Sequence, residues 1–450
     1  MNILIFLFVV LFFMLAWRRI DWAVMLLIAA MPAYLIRFNI FGLPSTLLEA
    51  MIWIVFLAWA VKNFKKENEK NKIRYLFDWE IILLLVIALA AAGTAGFSSS
   101  SFGIWKAYFF EPALFFIVVM NAMKGEKGGE KILSALAVSA LAVSALAIYQ
   151  KITGQLIDNP VWADENIRRV VSFFGYPNAV GLYLGPIVLA MAGWLAFAII
   201  RNEKIKAFFI SLAIIASVVS VYFAKSKGAL IGVAAGLIAF GLMAGKKMRW
   251  AAIAVILVMA GCVFFYQPVG KLAHDTFAFK TLSGQIRMAG WKDSWNMLKD
   301  GRFLTGAGLA NFQNAVKPYH QEGVFVKDAG DPDAQRKLVF NKDYRDAHWQ
   351  PLEIYLYPHN IFLNFWSELG LAGALLFVWI IGKFFAVGIR NLQQSPKNKY
   401  LAIGLICSMI AIIVHGLADV PYFKNDLAAM FWLLAAMMSL INLENNKINL

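Results

Sequence analysis

The sequence predicts an all-α polytopic membrane protein with about 12–13 transmembrane helices and one large, partly helical extracytoplasmic loop. Of its 450 residues, 61% are hydrophobic and only 15% are charged, whereas soluble domains average roughly 45–50% apolar and about 25% charged residues. A helix that spans a bilayer needs about 20 apolar residues, and stretches of this kind recur along most of the chain. This surplus of apolar surface needs lipid to cover it.

Thirteen apolar runs are bounded by charged or turn residues, and each is a candidate span. They fall at about 2–17, 22–36, 44–61, 79–95, 104–121, 132–150, 178–200, 207–224, 229–245, 250–267, 359–386, 399–416 and 424–442. The first two are short, and the count falls to twelve if the first only dips into the membrane. This pattern predicts ten transmembrane helices in 1–267, a large extracytoplasmic loop in 268–358 and three further transmembrane helices in 359–450.

The positive charges predict the orientation of the helices. The formal net charge is +15, and Lys and Arg are concentrated in every second connection between the apolar runs. These basic connections lie at 18–19, 62–74, 124–131, 201–206, 246–249 and 390–399. Because basic loops stay on the cytoplasmic side, we expect the 268–358 loop on the outside of a cytoplasmic (inner) membrane. The charges are then placed to contact membrane lipids, and no nucleic-acid partner is expected.

Several cations lie on the predicted outer side, at or just inside helix ends. A charge that faces lipid is costly there, and Arg169, Lys227 and Arg287 belong to three different parts of the chain. Each one alone is compatible with a side chain that snorkels to the lipid headgroups. Taken together, the three favour a shared binding site for an anionic ligand at membrane level.

The two ends of the large loop are the most informative parts of it. Apolar residues recur at helical spacing over 285–298, which predicts an amphipathic helix on the membrane surface, ended by a glycine turn at 306–308. At the other end of the loop, His359 begins a long apolar helix at the mouth of the anion site. Imidazole suits general base catalysis near neutral pH. His359 is therefore the candidate base, and His348 is the second choice.

Metal chemistry is not indicated by the sequence. The five histidines lack HxxxH or HExxH spacing, and Cys262 and Cys407 lie singly inside apolar runs, so no metal-ligand pattern is present. Asp331 and Asp333 form a DxD pair, which holds a metal-bound nucleotide in many sugar transferases. Here the pair lies in a solvated turn outside the cell, where nucleotide sugars are absent. We expect neither a metal nor a cofactor.

Four stretches of the chain resemble the O-antigen ligase and polysaccharide polymerase superfamily. They are LIRFNIFGLPSTLLE (35–49), RVVSFFGYPNAVGLYL (169–184), IRMAGWKDSW (286–295) with GAGLANF (306–312), and PHNIFLNFWSELGLAG (358–373). Their order and spacing are more specific than any one of them, and the similarity runs over nearly the whole chain. The resemblance implies a GT-C-like membrane transferase in which the helix at 2–17 is an N-terminal addition.

The resemblance also implies roles for individual residues. In that family, arginines on the outer face hold the diphosphate of an undecaprenyl-linked glycan donor, and the histidine of an HN motif is the proposed base. Arg169 and Arg287 match the arginines, and His359 matches the histidine. The usual Ser-Arg-Gly carries Lys227 at its centre here, which keeps the charge but loses the bidentate fork that suits phosphate. The supporting residues are Asn178, Trp291 and Asn360.

The resemblance therefore implies a metal-independent, inverting glycosyltransferase that uses an undecaprenyl-diphosphate-linked glycan as donor. His359 takes the proton of an acceptor hydroxyl, which attacks the anomeric carbon of an undecaprenyl-diphosphate-linked glycan, and the cations stabilise the leaving diphosphate. In a ligase the acceptor is lipid A core, another glycan or a protein, whereas in a polymerase it is a second lipid-linked glycan. A lipid-linked oligosaccharide flippase is the alternative of another class, but the span centres carry almost no charge.

Overall fold

The computed structural model describes residues 3–40, 43–64, 75–125, 127–325, 333–394 and 396–448. Over these residues the chain is largely helical, with two short antiparallel hairpins. The hairpins pair Arg37–Ile40 (β1) with Leu43–Thr46 (β2) and Gly323–Phe325 (β3) with Trp349–Pro351 (β4). The predicted all-α class is confirmed. Asp331 of the DxD pair and most of the Lys-rich connection at 62–74 lie outside the described residues.

The longer helices are numbered in chain order. They are α1 (Ile3–Arg18), α2 (Ile20–Ala29), α3 (Leu47–Phe64), α4 (Asp78–Thr94), α5 (Ser99–Ala122), α6 (Gly128–Thr153), α7 (Pro177–Ile200), α8 (Lys204–Phe223), α9 (Lys227–Ala244), α10 (Lys246–Phe265), α11 (Gln267–Phe277), α12 (Leu282–Met297), α13 (Ile361–Gln394), α14 (Lys399–Gly416) and α15 (Asn425–Ile448). Shorter helical turns occupy Met31–Leu35, Pro160–Ala163, Leu298–Arg302, Phe312–Val316, Lys317–Tyr319, Ala334–Phe340 and Lys342–Ala347.

Within the described residues, nine helices are long and apolar enough to cross a membrane, namely α5 to α10 and α13 to α15. Each coincides with a predicted span, so a multi-pass membrane protein is confirmed. The predicted spans at 44–61 and 79–95 coincide with α3 and α4, and α1 is apolar but shorter. The total of 12–13 spans, their direction across the membrane and the division at 267 and 358 remain predictions.

The second predicted span, 22–36, is not one continuous helix. The helix α2 has only 10 residues, which at 1.5 Å per residue is about 15 Å, or half of the hydrocarbon thickness. A 3₁₀ turn then begins at Met31 with Pro32 as its second residue, because proline has no N–H with which to continue the α-helical ladder. The hairpin β1–β2 follows and leads the chain directly into α3.

The interior of the bundle is formed by α7, α14 and α15, whose apolar windows are buried over 72%, 72% and 94% of their residues. The helices α7 and α14 meet where Gly193 faces Gly404. A Cβ atom on Gly404 would lie 2.9 Å from the Cα of Gly193, so only a small residue permits this approach. In contrast, α10 is buried over only 6% of its window and lies at the periphery.

The large loop is anchored to the bundle through the glycine turn at 306–308. Ala307 N–H donates to the Ser367 carbonyl at 2.6 Å, close to Gly370, whose φ of +74° interrupts α13. A Cβ on Gly306 would lie 2.7 Å from the backbone of α13. The prediction that this turn ends the amphipathic helix was therefore wrong. The helix α12 ends at Met297, a π-helical turn follows it, and the glycines serve close packing instead.

Candidate active site

A cavity of about 410 Å³ lies at one end of the helix bundle. Four cations line it, from three separate parts of the chain: Arg169 before α7, Lys225 and Lys227 at the start of α9, and Arg287 in α12. The structure therefore brings together Arg169, Lys227 and Arg287, which the sequence placed in one anion site. We call this cavity the site cavity, and the end of the bundle where it lies the site end.

The Arg169 guanidinium is held in place by neutral groups. Its Nε donates to the Ala224 carbonyl at 3.1 Å, and one terminal nitrogen donates to Oδ1 of Asn178 at 3.5 Å. Partial burial of the side chain lowers its pKa, although an arginine remains charged in proteins. Over the part of the chain that the structure describes, no carboxylate pairs with Arg169, Lys227 or Arg287. The positive charge is thus available to a ligand.

Lys227 is the first residue of α9 and lines the site cavity with Ser226 and Gly228. The exposed N–H groups and the dipole of a helix N-terminus favour an anion at this position. Gly228 is needed because a Cβ there would lie 2.6 Å from Cδ2 of His415 in α14. Close packing of α9 on α14 therefore sets the position of the lysine, and it explains the glycine that follows it.

Arg287 links the amphipathic helix to the bundle. Its Nε donates to the Ala418 carbonyl at 2.7 Å, and one terminal nitrogen donates to the Ser283 carbonyl at 3.1 Å. Arg287 lines the site cavity and also a second cavity of only about 30 Å³, which His359 borders. The arginine thus lies between the cation cluster and the candidate base.

His359 adopts a left-handed backbone conformation, with φ of +50°, directly after Pro358. Such a conformation is unusual for a residue with a Cβ, and outliers of this kind cluster at functional sites. The next residue, Asn360, fixes the start of α13, because its Oδ1 accepts from Leu363 N–H at 3.0 Å. Tyr355 and Tyr357 pack edge-on against the imidazole, both at 5.1 Å between ring centroids.

The buried carboxylate of Asp419 faces the imidazole. Its Oδ1 lies 3.6 Å from Nδ1 of His359, and its Oδ2 accepts from Nδ2 of Asn178 at 3.1 Å. Burial alone would raise the pKa of Asp419, but the contact with His359, the charge of His415 and the Val420 N–H together lower it to about 2. Asp419 is therefore ionised near neutral pH. Asn178 joins it to Arg169, so the histidine and the cation cluster belong to one polar network.

The family model described as O-Antigen ligase matches residues 212–378. This match covers 167 of the 450 residues and supports the predicted resemblance to the O-antigen ligase superfamily. The matched ligase domain contains three of the residues described above, Lys227, Arg287 and His359, and it begins after Arg169 and ends before Asp419. No curated protein matches the sequence.

The remaining predicted residues lie around the candidate site at different distances. Asn178 and Asn360 are in contact with it, since Asn360 Nδ2 donates to the Leu417 carbonyl at 3.1 Å beside the site cavity. Trp291 lies behind the cavity wall and packs on Phe279 with ring centroids 5.1 Å apart. His348, the second choice for a base, stacks on Tyr344 and borders neither cavity.

Two residues of the candidate site were missed by sequence reasoning. His415 was given no role by the sequence, yet it lines the site cavity beneath Gly228. Asp419, which faces His359, was likewise given no role. Both lie in the stretch HGLAD, where a histidine and an aspartate four residues apart interrupt an apolar sequence. That spacing was the available signal.

No group of three or more potential metal-ligating side chains occurs among the described residues. The DxD pair is only half described, since Asp333 lies within the structure and Asp331 outside it. A transferase without metal or cofactor therefore remains a prediction.

Proposed function

We propose that this O-antigen ligase superfamily member transfers a glycan from an undecaprenyl-diphosphate carrier to an acceptor hydroxyl. The proposal places the reaction at the outer face of the cytoplasmic membrane, as the alternation of basic connections predicts. The observation that carries it is the convergence of Arg169, Lys227 and Arg287, without carboxylate partners among the described residues, on a cavity beside a histidine that faces a buried carboxylate.

The donor diphosphate occupies the site cavity in this proposal. Its volume of about 410 Å³ is within the range of small-ligand sites, large enough for a diphosphate with part of the attached sugar or lipid. The cations are fixed before the reaction begins, since Arg169 and Arg287 are both held by backbone carbonyls. Preorganised charges of this kind stabilise the negative charge that develops on a leaving group.

His359 acts as the general base. With Nδ1 facing Asp419, the favoured neutral tautomer carries its proton on Nδ1 and leaves the Nε2 lone pair free. The acceptor hydroxyl gives its proton to Nε2 while its oxygen forms a bond to the anomeric carbon. The bond between that carbon and the diphosphate oxygen breaks on the opposite face, so the anomeric configuration inverts. Asp419 then stabilises the imidazolium that has formed.

The choice of acceptor distinguishes a ligase from a polymerase, and the family model supports both kinds of function. The small cavity beside His359 is bordered by Glu353, Tyr355 and Tyr357 from the end of the large loop. We therefore assign acceptor selection to this loop. Lipid A core, another glycan or a protein is the acceptor of a ligase, and a second lipid-linked glycan is that of a polymerase.

The test is transfer by the purified protein in proteoliposomes that contain an undecaprenyl-diphosphate-linked glycan. Covalent transfer to an added acceptor supports the proposal, whereas movement of the donor across the bilayer without transfer would establish a flippase. Arg169→Gln should weaken donor use by about 10-fold or more, as expected for one charge-assisted contact of 1.5–3 kcal/mol. Arg168→Gln is the matched control, because Arg168 bonds to the carbonyls of Lys151 and Ile152 and borders neither cavity.

Deletion of the gene distinguishes a ligase from a polymerase. Loss of a ligase should leave long polymer that is free of its final acceptor, whereas loss of a polymerase should leave single repeat units. Unchanged length and unchanged attachment of the surface glycan would contradict both forms of the proposal.

A further inference from the structure

A second large cavity, of about 420 Å³, lies at the end of the bundle opposite the site end. The helix directions establish the opposition. The helix α7 begins beside Asn178 at the site cavity and ends at Ile200 near the second cavity. The helix α14 runs in the opposite direction, from Lys399 near the second cavity to His415 at the site cavity. We call it the basic cavity, because five cations line it: Lys127, Lys131, Arg201, Lys206 and Lys397.

Three helices begin at the basic cavity. The first turns of α6 at Gly128, α8 at Lys204 and α14 at Lys399 all contribute residues to its wall. The first N–H groups of a helix have no partner inside the helix, and the macrodipole places a partial positive charge at that end. Three such ends converging on one cavity add to the charge of the five cations, and this favours an anionic ligand.

The charges in the wall are not all neutralised. Three carboxylates also line the cavity: Glu130, Glu203 and Glu444. The first two pair with Lys206 at 2.6 Å each, and Lys131 pairs with Asp21 at 2.8 Å.

Lys127 and Arg201, in contrast, are exposed and have no carboxylate partner in the described part of the chain. The Arg201 guanidinium lies 4.2 Å from the centroid of the Phe197 ring. Lys127 and Arg201 are therefore available to bind an anion.

Most of the uncharged wall is apolar. Side chains from α7, α14 and α15 line it, including Phe197, Leu401, Leu440 and Ile441. The cavity also lies at the ends of helices that are long enough to cross a membrane, which is the level of the lipid headgroups. A soluble anion would leave the apolar wall uncovered, whereas a phospholipid would place acyl chains on it.

We propose that the basic cavity binds the headgroup phosphate of an anionic membrane phospholipid, with Lys127 and Arg201 as its charged contacts. Basic pockets between transmembrane helices hold lipid headgroups in this way. The site is separate from the donor site, so the proposal stands whether or not the proposed transferase function is correct.

The test uses the full-length protein in phosphatidylcholine nanodiscs, with phosphatidylglycerol added in increasing amounts and bound lipid counted by native mass spectrometry. The wild type should show one saturable phosphatidylglycerol site that phosphatidylcholine does not fill. Lys127→Gln with Arg201→Gln should weaken it by about 30-fold, since each cation near a membrane surface contributes about 1 kcal/mol. The charge-preserving pair Lys127→Arg with Arg201→Lys should retain the site.

The matched control is Lys246→Gln with Lys247→Gln. These two exposed cations begin α10 at the same end of the bundle but do not line the cavity. They should weaken binding by less than about 3-fold. An equal loss in both double variants would overturn the proposal in favour of diffuse surface charge, and so would a wild type without preference for phosphatidylglycerol. Displacement of the lipid by millimolar inorganic pyrophosphate would overturn it in favour of a soluble ligand.

Discussion

The carboxylate of Asp419 lies 3.6 Å from Nδ1 of His359, although the two residues are on opposite sides of α13 and α14 in the sequence. The distance is slightly longer than a hydrogen bond, and contacts of catalytic groups are often long before substrate binds. The carboxylate is only 2% exposed, so its charge acts on the imidazole with little screening by solvent. In the proposed mechanism, this pair keeps the proton on Nδ1 of His359 and leaves Nε2 free to act as the base toward the acceptor.

Replacement of Asp419 by asparagine should abolish most of the transfer. The amide of asparagine can donate to Nδ1 and hold the wrong tautomer, with the proton on Nε2. We expect kcat to fall by about 100-fold or more, with the KM for the donor changed by less than about 3-fold. Steady-state kinetics in proteoliposomes checks this. Asp300→Asn, in an exposed loop turn, is the control, and an equal effect of the two substitutions would refute the role of Asp419.

The low pKa of Asp419 also predicts how stability depends on pH. The pKa of Asp419 is lowered to about 2 in the folded protein. Its carboxylate therefore stabilises the fold at pH values above the ordinary aspartate pKa near 3.9, and this contribution is lost as the pH falls toward 2. The contribution is roughly 2 kcal/mol. Thermal unfolding in detergent at pH 7 and at pH 2.5 measures it. The melting temperature of the wild type should exceed that of Asp419→Asn by a smaller margin at pH 2.5 than at pH 7. The same margin at both pH values would contradict the assignment.

Substitutions of Lys227 should distinguish the contribution of its charge to donor binding from that of its shape. Lys227→Gln removes a cation from the site cavity and should raise the KM for the donor by about 10-fold. Lys227→Arg should keep or improve donor use, because guanidinium binds phosphate through two parallel hydrogen bonds. Kinetics with varied donor concentration measures both effects. A Lys227→Gln variant with unchanged donor use would mean that this lysine only faces lipid headgroups.

The contact of α7 with α14 should be sensitive to one methyl group. Gly404→Ala places a Cβ 2.9 Å from Gly193, and overpacking of this kind costs about 1–3 kcal/mol. Gly382→Ala in α13 meets no atom within 4 Å and should change stability by less than about 0.5 kcal/mol. Thermal unfolding in the same detergent compares the two variants. Equal stability of the two variants would show that α7 and α14 can move apart without any loss of stability.

The sequence was sufficient for the features that depend on local composition. Apolar runs predicted each of the nine helices in the described residues that are long and apolar enough to cross a membrane. The charges of Arg169, Lys227 and Arg287 predicted that these residues share a site. Hydrophobic length alone predicts spans, but it does not detect a break such as that at Pro32, where one apolar run contains a short helix and a 3₁₀ turn. The short α2 was therefore beyond what hydropathy could predict.

The features that depend on tertiary contact could not be predicted in the same way. The partner of His359 comes from the turn between α14 and α15, and no spacing in the chain links the two residues. The glycine turn at 306–308 reads locally as a helix stop, but its function is to let Ala307 donate to Ser367 in α13. Likewise, the position of His415 beneath Gly228 follows only from the packing of α9 on α14.

The central claim is that His359 removes the acceptor proton while the cations of the site cavity hold the donor diphosphate. The most direct measurement is transfer by His359→Ala in proteoliposomes under single-turnover conditions, with donor binding measured on the same preparation. The account predicts a rate at least about 100-fold below that of the wild type, with donor affinity within about 3-fold. Transfer at a rate close to that of the wild type would contradict it.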